Sequence, residues 1–229
     1  MGTEADRGMK RMLADIDGTA GHTRTLTGRE AFGRRVMEAV SRVPREEFVP
    51  EELRSSAYDN GPLPIGFGQT ISQPYIVALM TDLLDPQPDH RLLEIGTGSG
   101  YQAAILSLLC DSVYSVDRVA ALTRTARSRL QRLGYDNVQL CSGNGYLGWP
   151  EHAPYDGIIV TAAAPYVPQA LLSQLKPGGR LVIPIGERYA SQQLQLLSKD
   201  ESGEIRQREI LVVAFVPLVD GEPERSDGE

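Results

Sequence analysis

Cysteine, histidine and tryptophan are scarce here: two, three and one among 229 residues. Cys110 and Cys141 lack metal or redox spacing and lie in apolar segments, so they read as core thiols and not as a disulfide framework. His22, His90 and His152 are too scattered to share a zinc ion, so no metal is expected. There is no run of eighteen apolar residues of the kind a transmembrane helix needs. The first residues lack the apolar stretch of a secretory leader, and Met1-Gly2 is followed at the sixth position by Asp6, not the hydroxyl residue of a myristoylation signal. A basic excess is also missing, since 23 Lys and Arg against 30 Asp and Glu leave a formal charge of −7. A nucleic-acid partner needs a basic face for its phosphates, so none is expected. These absences point to a soluble, cytoplasmic protein with no membrane partner.

What remains is ordinary for one globular domain, with 41% hydrophobic and 23% charged residues. Residues 1–25 mix charges, Gly and Thr without periodicity and read as disordered. A single domain is expected over 26–219, with helices and a covering loop in 26–90 and a sheet in 91–219; the acidic tail 220–229 is expected to lack order. Phe32, Val36 and Val40 share one face of a helix beginning at Thr27, which the prolines of Val43–Pro50 bring to an end. The stretch 57–74 is too rich in Gly and Pro for regular structure, yet it carries Tyr, Phe, Ile and Leu anchors that argue for function. Pro74 then opens a helix that is apolar almost all round.

The organising stretch is Leu92–Gln102, where a short apolar run meets an acid and then Gly96, Gly98 and Gly100 alternate with Thr97 and Ser99. That pattern is a strand, a tight turn and a helix start, whose free N–H groups suit an anionic ligand group. A dinucleotide fingerprint would place a glycine where Tyr101 stands, which disfavours a nicotinamide dehydrogenase. Asp117 ends the next strand, about twenty residues beyond the first turn glycine, where an acid reaches a ribose hydroxyl pair. A helix over Val119–Leu133 carries Leu122, Ala126, Leu130 and Leu133 on one face and stops at Gly134. Further strands are read at Val138–Leu140, Tyr155–Val160 and, after a turn at Lys176–Gly179, Arg180–Ile185. Two late β-rich runs, at 193–197 and 210–216, suggest an antiparallel hairpin that closes the sheet. Strand–helix alternation implies an α/β, doubly wound, mainly parallel sheet with its ligand crevice at the C-terminal strand ends.

This arrangement resembles the class I S-adenosylmethionine-dependent methyltransferases. A closer resemblance covers about Val43 to Leu218. It is carried by Val43-Pro44-Arg45, Phe48-Val49-Pro50, Leu63-Pro64-Ile65-Gly66, Gln69–Tyr75, Leu93–Gln102, Thr161–Ala164 and Phe215–Leu218. These segments resemble the protein-L-isoaspartate O-methyltransferases, with Leu63–Tyr75 as the specific part. The resemblance implies a seven-stranded Rossmann-like methyltransferase sheet, an antiparallel C-terminal hairpin, an N-terminal helical and loop extension, and a monomer. It implies S-adenosyl-L-methionine as cofactor and isoaspartyl-containing proteins and peptides as substrates, methylated on the free α-carboxylate. By position, the cofactor's methionine end falls to Gly96, Thr97, Gly98, Ser99 and Gly100 with Glu94 behind them, its ribose to Asp117 and its adenine to Asn144 and Gly145. Thr70 and Ile71 cover it; Ile65, Gly66, Ser72, Thr161 and Ala162 meet the substrate, and Ser72 is the active-site serine. Asn144 departs from the family pattern, which has an acid there, and weaker adenine binding is expected. A methyltransferase for a different carboxylate is the alternative within this fold, and a non-catalytic cofactor-binding module the alternative outside enzymes.

Overall fold

A computed structural model describes residues 3–187 and 190–221. The first element corrects the reading of 1–25 as disordered, because α1 runs from Glu4 to Thr27. Thr3 and Asp6 cap each other's backbone N–H at its start, and Gly28, at φ 70°, ends it. Its buried stripe is Gly8, Met12, Ile16 and Ala20, four residues apart, so two small residues left little hydrophobic signal. The helix expected from Thr27 begins later, as α2 (Arg34–Arg42). A 3-10 turn, Arg45–Phe48, follows.

The stretch expected to be irregular contains a small antiparallel hairpin, β1 (Leu63–Gly66) and β2 (Gln69–Ile71). Its tip, Gly66-Phe67-Gly68, lies in the left-handed region at φ 89°, 53° and 67°, a bend that flanking glycines make possible. Only two short strands pair, so Pro64 finds an edge position where its missing N–H is tolerated. Next comes α3 (Pro74–Leu84), buried along most of its length.

The large sheet contains β3 (Arg91–Ile95), β4 (Ser112–Asp117), β5 (Val138–Ser142), β6 (Tyr155–Val160), β7 (Leu175–Ile185), β8 (Gln192–Lys199) and β9 (Ile205–Val213). Their order is β5-β4-β3-β6-β7-β8-β9, parallel through β7 and antiparallel from there on. The expected turn at Lys176–Gly179 is instead an irregular stretch within β7, where the register against β6 shifts between Tyr155 and Gly157. Helices α4 (Tyr101–Ser107), α5 (Ala120–Arg132) and α6 (Gln169–Gln174) complete the fold.

Alternation along the strands produces two cores. Leu92, Val113, Ile159, Val182 and Leu194 face the layer containing α1, α3 and α4. Leu93, Ile95, Val116, Ile158, Val160 and Leu181 face the opposite side, with Leu171 of α6. Each fully buried aliphatic side chain contributes about 1.5–3 kcal/mol through its removal from water. Strand order reverses beside β3, which puts the topological switch point at its C-terminal end, immediately before Gly96.

Candidate active site

Gly96, Gly98 and Gly100 all have positive φ, at 99°, 51° and 88°. At Gly96 a side chain is excluded twice over, since a Cβ would also overlap the Thr161 hydroxyl. That hydroxyl donates to the Gly96 carbonyl at 2.8 Å, tying the end of β6 to the turn. Gly96 N donates to the Val116 carbonyl at 2.8 Å, so the turn is also held from β4. Ile65 of β1 reaches over from the hairpin, and a Cβ on Gly98 would lie 3.3 Å from its Cδ1.

Behind the turn lies a buried polar chain. Thr97 and Ser115 share a hydrogen bond at 2.6 Å between their hydroxyls, and the Ser115 hydroxyl donates to Glu94. Glu94 has no exposed surface, and its Oε1 has no hydrogen-bond partner of good geometry. Burial pushes its pKa up to about 8, opposed by the Ser115 hydrogen bond and reinforced by the charge of Asp117. In the empty cleft the carboxyl is therefore neutral below about pH 8, and a cationic group placed there would favour its ionised form, with Oε1 as the acceptor. Asp117 accepts from Gly98 N at 2.7 Å and from Val119 N at 2.8 Å, joining the turn to the start of α5. Burial raises its pKa, and these two N–H groups pull it back.

Three cavities meet here. The first, about 280 Å³, is lined by Gly96, Gly98, Asp117, Gly145, Thr161 and Ala162. The second is a small cleft between the Thr70–Ser72 segment and Glu94–Ser99. The third is a groove of about 540 Å³ that runs outward between Pro62, Gln73, Ile76 and the 212–215 segment. Thr70 lines all three, and Ser72 lines the second and third. The Ser72 hydroxyl makes no hydrogen bond within the described residues, so it does not cap α3. Ile71 is buried beside it, and Gly66 sits in the hairpin tip.

Asn144 is held at its own turn. Its Oδ1 accepts from Tyr146 N at 3.0 Å and its Nδ2 donates to Asp220 Oδ1 at 2.6 Å. Two parts of the site were given no role from the sequence, although Phe215–Leu218 was among the segments that carried the resemblance. Phe67, 63% exposed at the hairpin tip, lines the first cavity. Residues 216–219 line it from the opposite side, fixed by Ala163 N to the Val216 carbonyl at 2.8 Å and Leu218 N to the Ala163 carbonyl at 2.7 Å. The Gly-Phe-Gly spacing was the one available signal for Phe67.

A glycine turn at the switch point and an acid ending the next strand make this the cofactor crevice of a Rossmann-like fold, and the structure and sequence it shares with solved methyltransferases give the class. The chain belongs to the family described as protein-L-isoaspartate(D-aspartate) O-methyltransferase, whose model matches residues 27–223. It is 58% identical over 211 residues to protein-L-isoaspartate O-methyltransferase 2 of Syntrophobacter fumaroxidans, covering 92% of this chain and 85% of that one. To protein-L-isoaspartate O-methyltransferase 2 of a Polaromonas species it is 56% identical, covering 90% and 98%. Among solved structures, a Plasmodium falciparum family member in complex with S-adenosyl-L-homocysteine superposes with a TM-score of 0.74 at 26% identity, covering 93% of this chain and 98% of that one.

Proposed function

We propose that this chain transfers a methyl group from S-adenosyl-L-methionine to the free α-carboxylate of L-isoaspartyl residues in damaged proteins and peptides. The backbone amide nitrogen then attacks the methyl ester and expels methanol to give a succinimide, which water opens partly to normal aspartate. Family membership supports the reaction. One observation carries its placement here: Thr70 and Ser72 stand between the cleft at the glycine turn and the outward groove. A peptide lying in the groove can present one carboxylate to the cleft without entering the cofactor cavity.

The residues fit the cofactor. The Gly96–Gly100 turn, with Thr97 and Ser99 in it, takes the methionine end, and the unpartnered Glu94 oxygen meets its ammonium. Asp117 serves the ribose, Asn144 and Gly145 the adenine, and Thr70 and Ile71 cover the whole. When bound, the cofactor supplies an activated methyl on a sulfonium centre.

The chain's own part is placement. A substrate carboxylate with a pKa near ~4 is already ionised at neutral pH, so no base is required. No described residue lining the groove is acidic or basic, which accords with that economy. Ser72 orients the carboxylate with its uncommitted hydroxyl, while Ile65, Gly66, Thr161 and Ala162 bound the space around it. Holding the partners in line and limiting water access supplies the acceleration. All these groups come from one chain, as a monomer requires, and the two free cysteines suit a reducing cytoplasm.

The deciding experiment is transfer of a labelled methyl group to a synthetic isoaspartyl peptide and its aspartyl twin. Labelling of the isoaspartyl form alone is expected. No labelling of it would sink the proposal, and equal labelling would favour a broader carboxylate methyltransferase.

A further inference from the structure

Arg45 has no exposed surface and no carboxylate within ion-pair distance among the described residues. Its Nε donates to the Ala57 carbonyl at 2.8 Å, and its Nη2 to the Ser72 carbonyl at 2.9 Å and the Gly61 carbonyl at 3.4 Å. Its guanidinium carbon lies 4.8 Å from the ring centroid of Tyr101, the residue that begins α4 directly after the glycine turn. Burying a guanidinium without a counter-charge is costly, and a methionine would fill such a space at less expense. What a methionine cannot do is grip carbonyls on separate segments at once, as a rigid fork of donors does.

The gripped segments also hold each other. Asn60 lies between Ala57 and Gly61, the first two points of contact. Its Oδ1 accepts from Tyr75 N at 3.1 Å, and its carbonyl accepts from Gln73 Nε2 at 3.1 Å. Its Nδ2 donates to Thr19 of α1 at 3.3 Å. Ser72 is thus held at its own carbonyl by Arg45, and at Gln73 and Tyr75 by Asn60.

We propose that Arg45 is a positioning residue which, clamped together with Asn60, sets the height of Ser72 above the glycine turn by tying the Ser72 carbonyl and residues 57–61 to the Tyr101 ring. The proposal rests on the reading of Ser72 as the group that orients the substrate. Arg45 touches no substrate. It acts through the backbone of the segment it holds, and a displacement of about 1 Å there is enough to cost up to ~100-fold in turnover.

The test compares Arg45→Lys, Asn60→Ala and Ser72→Ala with the unaltered protein. The readouts are the melt, the S-adenosyl-L-homocysteine dissociation constant, backbone hydrogen exchange over residues 57–75, and kcat and KM for an isoaspartyl peptide. For Arg45→Lys we expect a cooperative melt, S-adenosyl-L-homocysteine affinity within about threefold, faster exchange confined to 57–75, and a fall in kcat of about 10- to 100-fold that exceeds any change in KM. Unchanged kcat, or losses of cofactor affinity and exchange protection spread across the whole chain, would overturn the proposal. If Arg45→Lys does not fold, Asn60→Ala decides: the same local signature supports the clamp, and unchanged kcat refutes it. If Ser72→Ala lowers kcat while Arg45→Lys does not, the clamp falls and the Ser72 reading stands. The reverse result would overturn the proposal as well, because the clamp would then not act through Ser72.

Discussion

Sealed between Ser115 and the glycine turn, Glu94 keeps its proton up to about pH 8, whereas the unfolded chain releases it near ~4.3. The folded state binds this proton more tightly, so its contribution is intact below the unfolded value and is lost as pH rises toward 8. Glu94→Gln should leave the melting temperature of the cofactor-free protein nearly unchanged near pH ~3.5, below the unfolded value, and raise it near pH ~9. Calorimetry on the same variant should show cofactor affinity falling about 10-fold or more, through loss of a charge-assisted hydrogen bond. At the Gly143–Gly145 turn, proposed above to take the adenine, the Asp220 carboxylate already accepts from Asn144. Against the expectation from the family pattern, Asn144→Asp would therefore set two acids against each other and should weaken cofactor binding, and adding Asp220→Asn should recover it. A single Asn144→Asp that bound more tightly would show that Asp220 exerts no influence there.

The hairpin of β1 and β2 works against its own stability at one position. Phe67 adopts a left-handed conformation, which costs a non-glycine residue about 1–2 kcal/mol, and it stays largely exposed. Phe67→Gly should leave stability unchanged or raise it by up to ~1 kcal/mol, while cofactor affinity drops several-fold. Denaturant melts and calorimetry on one preparation would separate the two effects. For α1, one link to the site, beside that from Thr19 to Asn60, is the hydrogen bond between Thr23 and the Tyr75 hydroxyl, 2.6 Å long. Tyr75→Phe should cost about 1 kcal/mol in a denaturant melt, with faster exchange at the α1–α3 contact. These two elements are also where the sequence was least legible. The buried stripe of α1 relies on Gly8, which packs on Tyr58, so its order comes from residues far along the chain. In α5, by contrast, Leu122, Ala126 and Leu130 repeat on one face and announce themselves.

Over the whole molecule, legibility follows the sequence distance over which contacts act. The strands of the parallel half were readable because each apolar run stops at a turn or an acid, and the glycine turn and Asp117 were readable with them. Arg45 was not, since the carbonyls it holds lie 12, 16 and 27 residues away. Nor was the wall of the first cavity formed by 216–219, which pairs with Ala163 at a distance no local pattern encodes. A chain stopped after Phe215 should keep the sheet, with a near-native circular dichroism spectrum, and lose measurable affinity for S-adenosyl-L-homocysteine.

That late wall has a consequence for biosynthesis. A ribosome makes the glycine turn long before it makes residues 216–219, and domains gain order as they emerge. If the truncation after Phe215 abolishes binding as expected, a nascent chain can assemble its parallel strands yet cannot hold the cofactor until those final wall residues emerge. On that outcome the cofactor would not template early folding and would stabilise only a chain that has already reached Leu218.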